Sequence, residues 1–167
     1  ILTDSGNALM HKALHTPAAP TDLTVRRLAV DLSQGFSRHW NGGDAFLTAY
    51  ANALSMSFPV GEQFFIDSVK NGAKVLPDTP ENADLKAVTK GFIGQEATHR
   101  HLHGLYNAQL EKQGLVNHWG PRADRRMQMG RDEFFNKSDK GHLHELAITA
   151  AFEHFTSIFG DLTLERL

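Results

Sequence analysis

The stretch Phe92-Ile93-Gly94-Gln95-Glu96-Ala97-Thr98-His99-Arg100-His101-Leu102-His103 decides how the whole chain is read. On an α-helix, residues three, four and seven apart share a face. Glu96, His99 and His103 then form one column, with Ile93 and Tyr106 above and below it. A carboxylate and two imidazoles on an otherwise apolar stripe are costly to bury unless something binds them, and a divalent cation is the simplest such partner. Glu-x-x-His turned inward is also the unit that carboxylate-bridged dinuclear helix bundles repeat. An ordinary explanation stands beside this one, because a Glu and a His three apart also occur on solvated helix faces. The surrounding chain has to decide between them.

Working outward, the helix that carries this column starts at Asp78-Thr79-Pro80-Glu81 and runs to about Gln113, with Gly114 as its stop. Leu85, Val88, Phe92, Glu96, His99, His103, Tyr106 and Leu110 make a drifting inward stripe, while His101 falls on the solvated side. Gly91 and Gly94 weaken the helix but allow a neighbouring backbone to come close. Upstream, Asp44 caps a helix to about Met56 with Phe46, Tyr50, Ala53 and Leu54 as its buried stripe. Phe58-Pro59-Val60-Gly61-Glu62-Gln63-Phe64-Phe65 opens another, because proline suits a first turn. Glu62 shares a face there with Phe65, Ile66 and Val69, a second carboxylate on a side that should face the core. Its bland explanation is a first-turn Glu satisfied by free backbone N–H groups and the helix dipole.

Downstream, Leu115 to Lys140 is poorly patterned, and Arg122, Arg125, Arg126 and Arg131 read as a solvated basic surface; a contact to an acidic partner is the sharper alternative. The last helix starts near Gly141 and has Phe152, Phe155 and Phe159 as an apolar ridge. Beside the ridge, Leu146, Thr149, Ala150, Glu153 and Ser157 form a face of mostly small residues with room for a bound species. The apolar flanks of Glu153-His154 favour burial with a partner, whereas His142, His144 and Glu145 read as solvated caps. At the other end, residues 1–24 with Pro17 and Pro20 read as an irregular arm, and 25–167 as one helical domain. Within the latter, Val25 to Ser33 reads as a short strand or extended lead-in, with Leu28, Val30 and Leu32 on one side. Phe36 to Gly43, with Arg38, His39 and Trp40, reads as a loop.

Composition narrows the classes. A chain of 167 residues with 41% apolar and 22% charged residues is one ordinary globular domain. A net charge of −2 gives no reason to expect nucleic acid or an anionic membrane as partner. The absence of cysteine removes disulfides, thiolate metal sites and a cysteine nucleophile. No apolar run reaches the roughly 20 residues of a membrane span, and no signal peptide is visible, so the default location is cytoplasmic. Ten histidines is a high number, and they cluster at 99–103 and 142–154. The start at Ile1 and the stop at Leu167 inside a helical pattern read as a trimmed chain or a fragment. Three helices thus each present an inward carboxylate, Glu62, Glu96 (with His99) and Glu153, which is three quarters of a dinuclear ligand plan. Oxygen and imidazole donors without thiolate suit iron, manganese or zinc, and the mixed set leans towards iron.

At this point the chain resembles a known family, the bacterial predicted metal-dependent hydrolases, associated with a ferritin-like fold. The resemblance rests on Ser37-Arg38-His39-Trp40, Asn52-Ala53-Leu54-Ser55, Phe58-Pro59-Val60-Gly61-Glu62-Gln63-Phe64-Phe65, Gly91-Phe92-Ile93-Gly94-Gln95-Glu96-Ala97-Thr98-His99 with His103 and Asn107, and Thr149-Ala150-Ala151-Phe152-Glu153-His154-Phe155-Thr156. It covers roughly residues 28–160. It implies an all-α, ferritin-like bundle with Glu62, Glu96, His99 and Glu153 as metal ligands and His103 and His154 close by. Family members continue into a further helix with a second Glu/His cluster, and this chain stops before it. The site is then either completed elsewhere, by a single ion on the visible ligands or by a second copy in a homodimer, or it lacks that helix here.

Three functions compete. The first is a metal-dependent hydrolase of a small-molecule substrate, in which metal-held water attacks and His103 or His154 moves the proton. The second is an oxygen-activating di-iron oxidase or oxygenase on the same ligands, with Tyr106 or Trp40 near enough for electron transfer. The third is a helical binding protein without chemistry, in which the Glu and His residues pair among themselves.

Overall fold

The computed structural model describes residues 23–26 and 30–165. The expected arm therefore lies almost wholly outside the described residues, as does Leu28. Four α-helices make up the fold: α1 (Ala45–Lys74), α2 (Ala83–Lys112), α3 (Gly120–Gly130) and α4 (Gly141–Leu164). No strand occurs among the described residues, and those of 25–33 are irregular rather than a strand. The all-α expectation holds, in an arrangement compatible with a ferritin-like bundle.

The expected break between two helices at Pro59 does not occur. Asp44 caps α1 by accepting from the Leu47 amide at 2.8 Å, as its sequence position implies, but the helix then continues through Pro59 to Lys74. An interior proline leaves the carbonyl four residues before it without a partner. Here that carbonyl, Ser55 O, accepts from Asn107 Nδ2 at 3.1 Å, and the next, Met56 O, accepts from Asn117 Nδ2 at 2.7 Å. Asn107 on α2 thus supplies the donor that the proline removes, and Asn117 in the following loop adds a tie to the next carbonyl. With α1 unbroken, Glu62 lies deep in a helix interior, and a first-turn explanation for it no longer applies.

Contacts such as Asn52–Tyr106 and Gln63–Arg100 show that α2 runs antiparallel to α1. Ser68–Thr149 and Asn71–Glu145 show the same for α4, so α1 is the shared element of the bundle. The start of α2 follows the sequence reading, with a short 3-10 turn at Pro80–Asn82 leading in. Its end does too, since Gly114 adopts a φ of 84° just past the last turn, a conformation that glycine takes at no steric cost. At Gly91 and Gly94 the close neighbours are the side chains of Leu23 and Val25, rather than a backbone; a Cβ there would stand 3.0 and 2.9 Å from them.

The inward face of α1 is not the aromatic stripe that its pattern implies. Phe46 is 76% exposed and Tyr50 is exposed as well, while Thr48, Asn52, Ser55, Glu62, Phe64, Ile66 and Ser68 are buried. The polar members are paired across the bundle. Asn52 Oδ1 accepts from both Trp40 Nε1 and Tyr106 Oη, and Ser68 Oγ meets Thr149 Oγ1 at 2.6 Å. On α4 the expected Phe152–Phe155 ridge is likewise exposed, and Glu145 and Thr149 take the buried positions. On α2, Leu85 is exposed, while Glu96 and Leu110 are buried.

Glu145 is therefore no solvated cap. It accepts from Arg131 Nε at 2.8 Å and from Asn71 Nδ2 at 3.1 Å. Arg131 sits in the π-helical turn Arg131–Phe135 after α3, also binds Asp67 at 3.2 Å, and stacks over the Phe64 ring. Arg122, Arg125 and Arg126 are exposed as expected, but Arg131 is an internal tie between α1 and α4. No helix of the described residues is long and apolar enough to cross a membrane.

Candidate metal centre

Antiparallel packing brings Glu62 of α1 opposite Glu96 and His99 of α2. The two glutamates are 4% and 5% exposed, and one ligand atom from each of Glu62, Glu96 and His99 lies within 4.8 Å of the other two. His99 Nδ1 is 3.7 Å from Glu96 Oε1, and its ring is exposed at the edge of the group, not buried in the stripe. A first-row divalent ion holds oxygen and nitrogen donors at about 2 Å, so three donors to one ion stand about 3–4 Å from one another.

Electrostatics make the same demand. Glu62 Oε2 is buried with no hydrogen-bond partner, the costliest state for a carboxylate oxygen. Burial pushes the Glu62 carboxyl up to about 8, with Glu96 and Glu153 adding to the rise and Arg100 offsetting part of it. Burial and the charge of Glu153 take Glu96 up to about 7. Burial also raises Glu153. Desolvation lowers His99 and His103, and the nearness of His99 lowers His103 further. A bound cation reverses the resistance of the crowded acids to ionisation, and the imidazoles, which resist protonation, already hold the neutral form that binds it. The donor set and the orphaned oxygen both fit a divalent metal.

Of the four ligands expected from the sequence, Glu62, Glu96 and His99 come together. Glu153 is half-buried on α4 and lies near enough for its charge to raise both Glu62 and Glu96. Its neighbour His154 is exposed, so the expected joint burial of Glu153-His154 does not occur. His103 is half-buried with Nε2 3.8 Å from Glu62 Oε1, and its ring packs against Phe58 with centroids 4.8 Å apart.

Several contributors have no role assigned from the sequence. Ser55 Oγ stands 2.9 Å from His103 Nδ1 and 3.0 Å from Asn107 Oδ1. Arg100 donates to Gln63 Oε1, which holds its positive charge beside Glu62. Asn107 lies one helical turn after His103 and stands with it among the family-motif residues, but neither signal names its partner. A hollow of about 270 Å³, lined by Leu32, Trp40, Ala51, Leu102 and Tyr106 together with Ser55 and His103, adjoins the group and is almost wholly apolar.

No curated protein and no solved structure matches the chain. A family model described as predicted metal-dependent hydrolase matches residues 24–167, and the chain belongs to that family.

Proposed function

We propose that this protein is a metal-dependent hydrolase of a small-molecule substrate, with its metal held by Glu62, Glu96 and His99 and with Glu153 at the border of the centre. The observation that carries this reading is the buried, unpartnered Glu62 Oε2 grouped with Glu96 and His99, with Glu153 near enough for its charge to raise Glu62. A structural carboxylate at that depth would be hydrogen-bonded, as Glu145 is. Iron is the ion we favour from the oxygen-rich donor set, with manganese and zinc as alternatives.

A bound divalent ion would supply Lewis acidity and bring the pKa of a held water down towards neutrality. The rest is work for side chains. His103 Nε2, beside Glu62, accepts a proton from the attacking water and returns it to the leaving group. Exposed His154 is placed less well for that step. Glu153 orients the nucleophile, and Arg100 restrains the negative charge that accumulates around Glu62. The apolar hollow beside His103 receives the hydrocarbon part of the substrate, where burial of apolar surface gives affinity. Three gathered donors serve one ion; a dinuclear centre would recruit Glu153 and donors beyond these.

Elemental analysis of protein purified without added metal tests the reading. Iron, manganese or zinc should be retained at close to one ion per chain. Glu96→Ala and His99→Ala should each abolish retention while the helices persist by circular dichroism. A full complement of metal in either variant would remove the central helix from the site. An optical signature that develops on exposure to oxygen would instead favour the oxidase chemistry.

A further inference from the structure

We infer that Ser55 and Asn107 fix the proton of the His103 ring on Nδ1, so that its other nitrogen, Nε2, presents a lone pair to Glu62 and the metal centre. Donors and acceptors form a chain from the Pro59 gap to the His103 ring. Proline at position 59 has no N–H, and the Ser55 carbonyl therefore lacks its usual helical donor. Asn107 Nδ2 fills the vacancy at 3.1 Å. A carbonyl oxygen can only accept, so the amide nitrogen must be the group turned towards it. The amide oxygen, Asn107 Oδ1, is then the atom 3.0 Å from Ser55 Oγ. Two oxygens at that distance need a proton between them, and only the serine hydroxyl has one.

With its single proton committed to Asn107, Ser55 Oγ can meet His103 Nδ1 at 2.9 Å only as an acceptor. Nδ1 must donate, and a neutral ring then has no proton on Nε2, the atom 3.8 Å from Glu62 Oε1. Phe58 packs against the ring and resists the flip that would exchange its nitrogens. A proline that looks like a helix breaker thus decides which nitrogen of a histidine on the neighbouring helix is bare. Ser55 and Asn107 are positioning residues, and the use to which Nε2 is put rests on the hydrolase reading above.

Long-range ¹H–¹⁵N correlation of the imidazoles in the full chain, loaded with diamagnetic zinc and again metal-free, reads the tautomer directly. The His103 resonances should show the proton on Nδ1. Asn107→Leu frees the serine hydroxyl to donate to Nδ1, and Ser55→Ala removes the acceptor. Each should move the tautomer ratio about tenfold towards Nε2–H, which is the worth of one hydrogen bond. Ser55→Thr keeps the hydroxyl and should restore the native ratio. A merely structural role for these residues would lower the melting temperature and leave the proton where it was. A native ring with its proton on Nε2, or an unchanged ratio in folded Asn107→Leu or Ser55→Ala, overturns the inference. Zinc content measured on the same sample keeps that failure distinct from failure of the metal reading.

Discussion

Two glutamates, Glu62 and Glu145, are each 4% exposed, and they are treated in opposite ways. Glu145 receives a guanidinium and an amide from Arg131 and Asn71. Glu62 has an oxygen with no donor at all, two further acids that raise its pKa, and only a distant imidazole and the field of Arg100 to set against them. Equal burial with unequal compensation separates a structural carboxylate from one that waits for a ligand. The first ties helices together; the second leaves part of its desolvation unanswered until a cation arrives.

The strongest way to break this contrast is to remove the compensation. Arg131→Ala leaves Glu145 buried without its cation and frees Asp67, and it should cost about 3–5 kcal/mol in urea denaturation. A loss below about 1 kcal/mol would mean that the Arg131 cluster is as poorly compensated as the Glu62 cluster.

A pH series comes next in size. In the metal-free chain, Glu62 and Glu96 keep protons up to about 8 and 7, whereas unfolded glutamates lose theirs near 4.5. The folded state therefore binds more protons across that window, and stability falls as pH rises through it. His99 and His103, lowered from 6.5, act in the opposite sense only below that value. Between pH 6.5 and about 8 the carboxylates act alone, and the metal-free chain should lose about 2 kcal/mol by thermal or urea melts. With metal bound the slope should reverse, because the ion competes with the same protons. A flat profile without metal would show that the two acids are already satisfied.

The smallest effect sharpens the comparison by its sign. Glu62→Gln removes a buried charge, and at pH 8 it should stabilise the metal-free chain by about 1 kcal/mol while abolishing the stabilisation that added metal gives. Glu145→Gln should destabilise under both conditions, because Arg131 then loses its partner. Calorimetry with and without metal reads both signs, and like signs for the two variants would erase the distinction between them.

The contrast also shows which residues could be read in advance. Glu62, Glu96 and His99 stand at positions where a helical period predicts apolar side chains, and a polar group that breaks a pattern is visible without coordinates. Glu145 was missed because it lies beside His142 and His144 at a helix start, where charged residues are ordinary. Phe46, Phe152 and Phe155 misled for the opposite reason. Periodicity reports that a face is apolar, but not whether another element covers it, and on α1 paired small polar residues took the inner side instead.

What the order of residues determined alone was local: helix starts after Asp44 and near Gly141, the long helix that stops at Gly114, the helical class, and a column of ligand-type side chains on α2. Each of these depends on spacings of three and four residues or on the backbone preference of a single residue. Tertiary structure decided the rest. Pro59 breaks a helix unless Asn107 reaches its orphaned carbonyl, Arg131 is a surface charge unless Asp67 and Glu145 meet it, and two acids and an imidazole are ordinary until antiparallel packing brings them together. Those outcomes turn on partners far away along the chain, and a one-dimensional period carries no information about which distant donor will meet which acceptor.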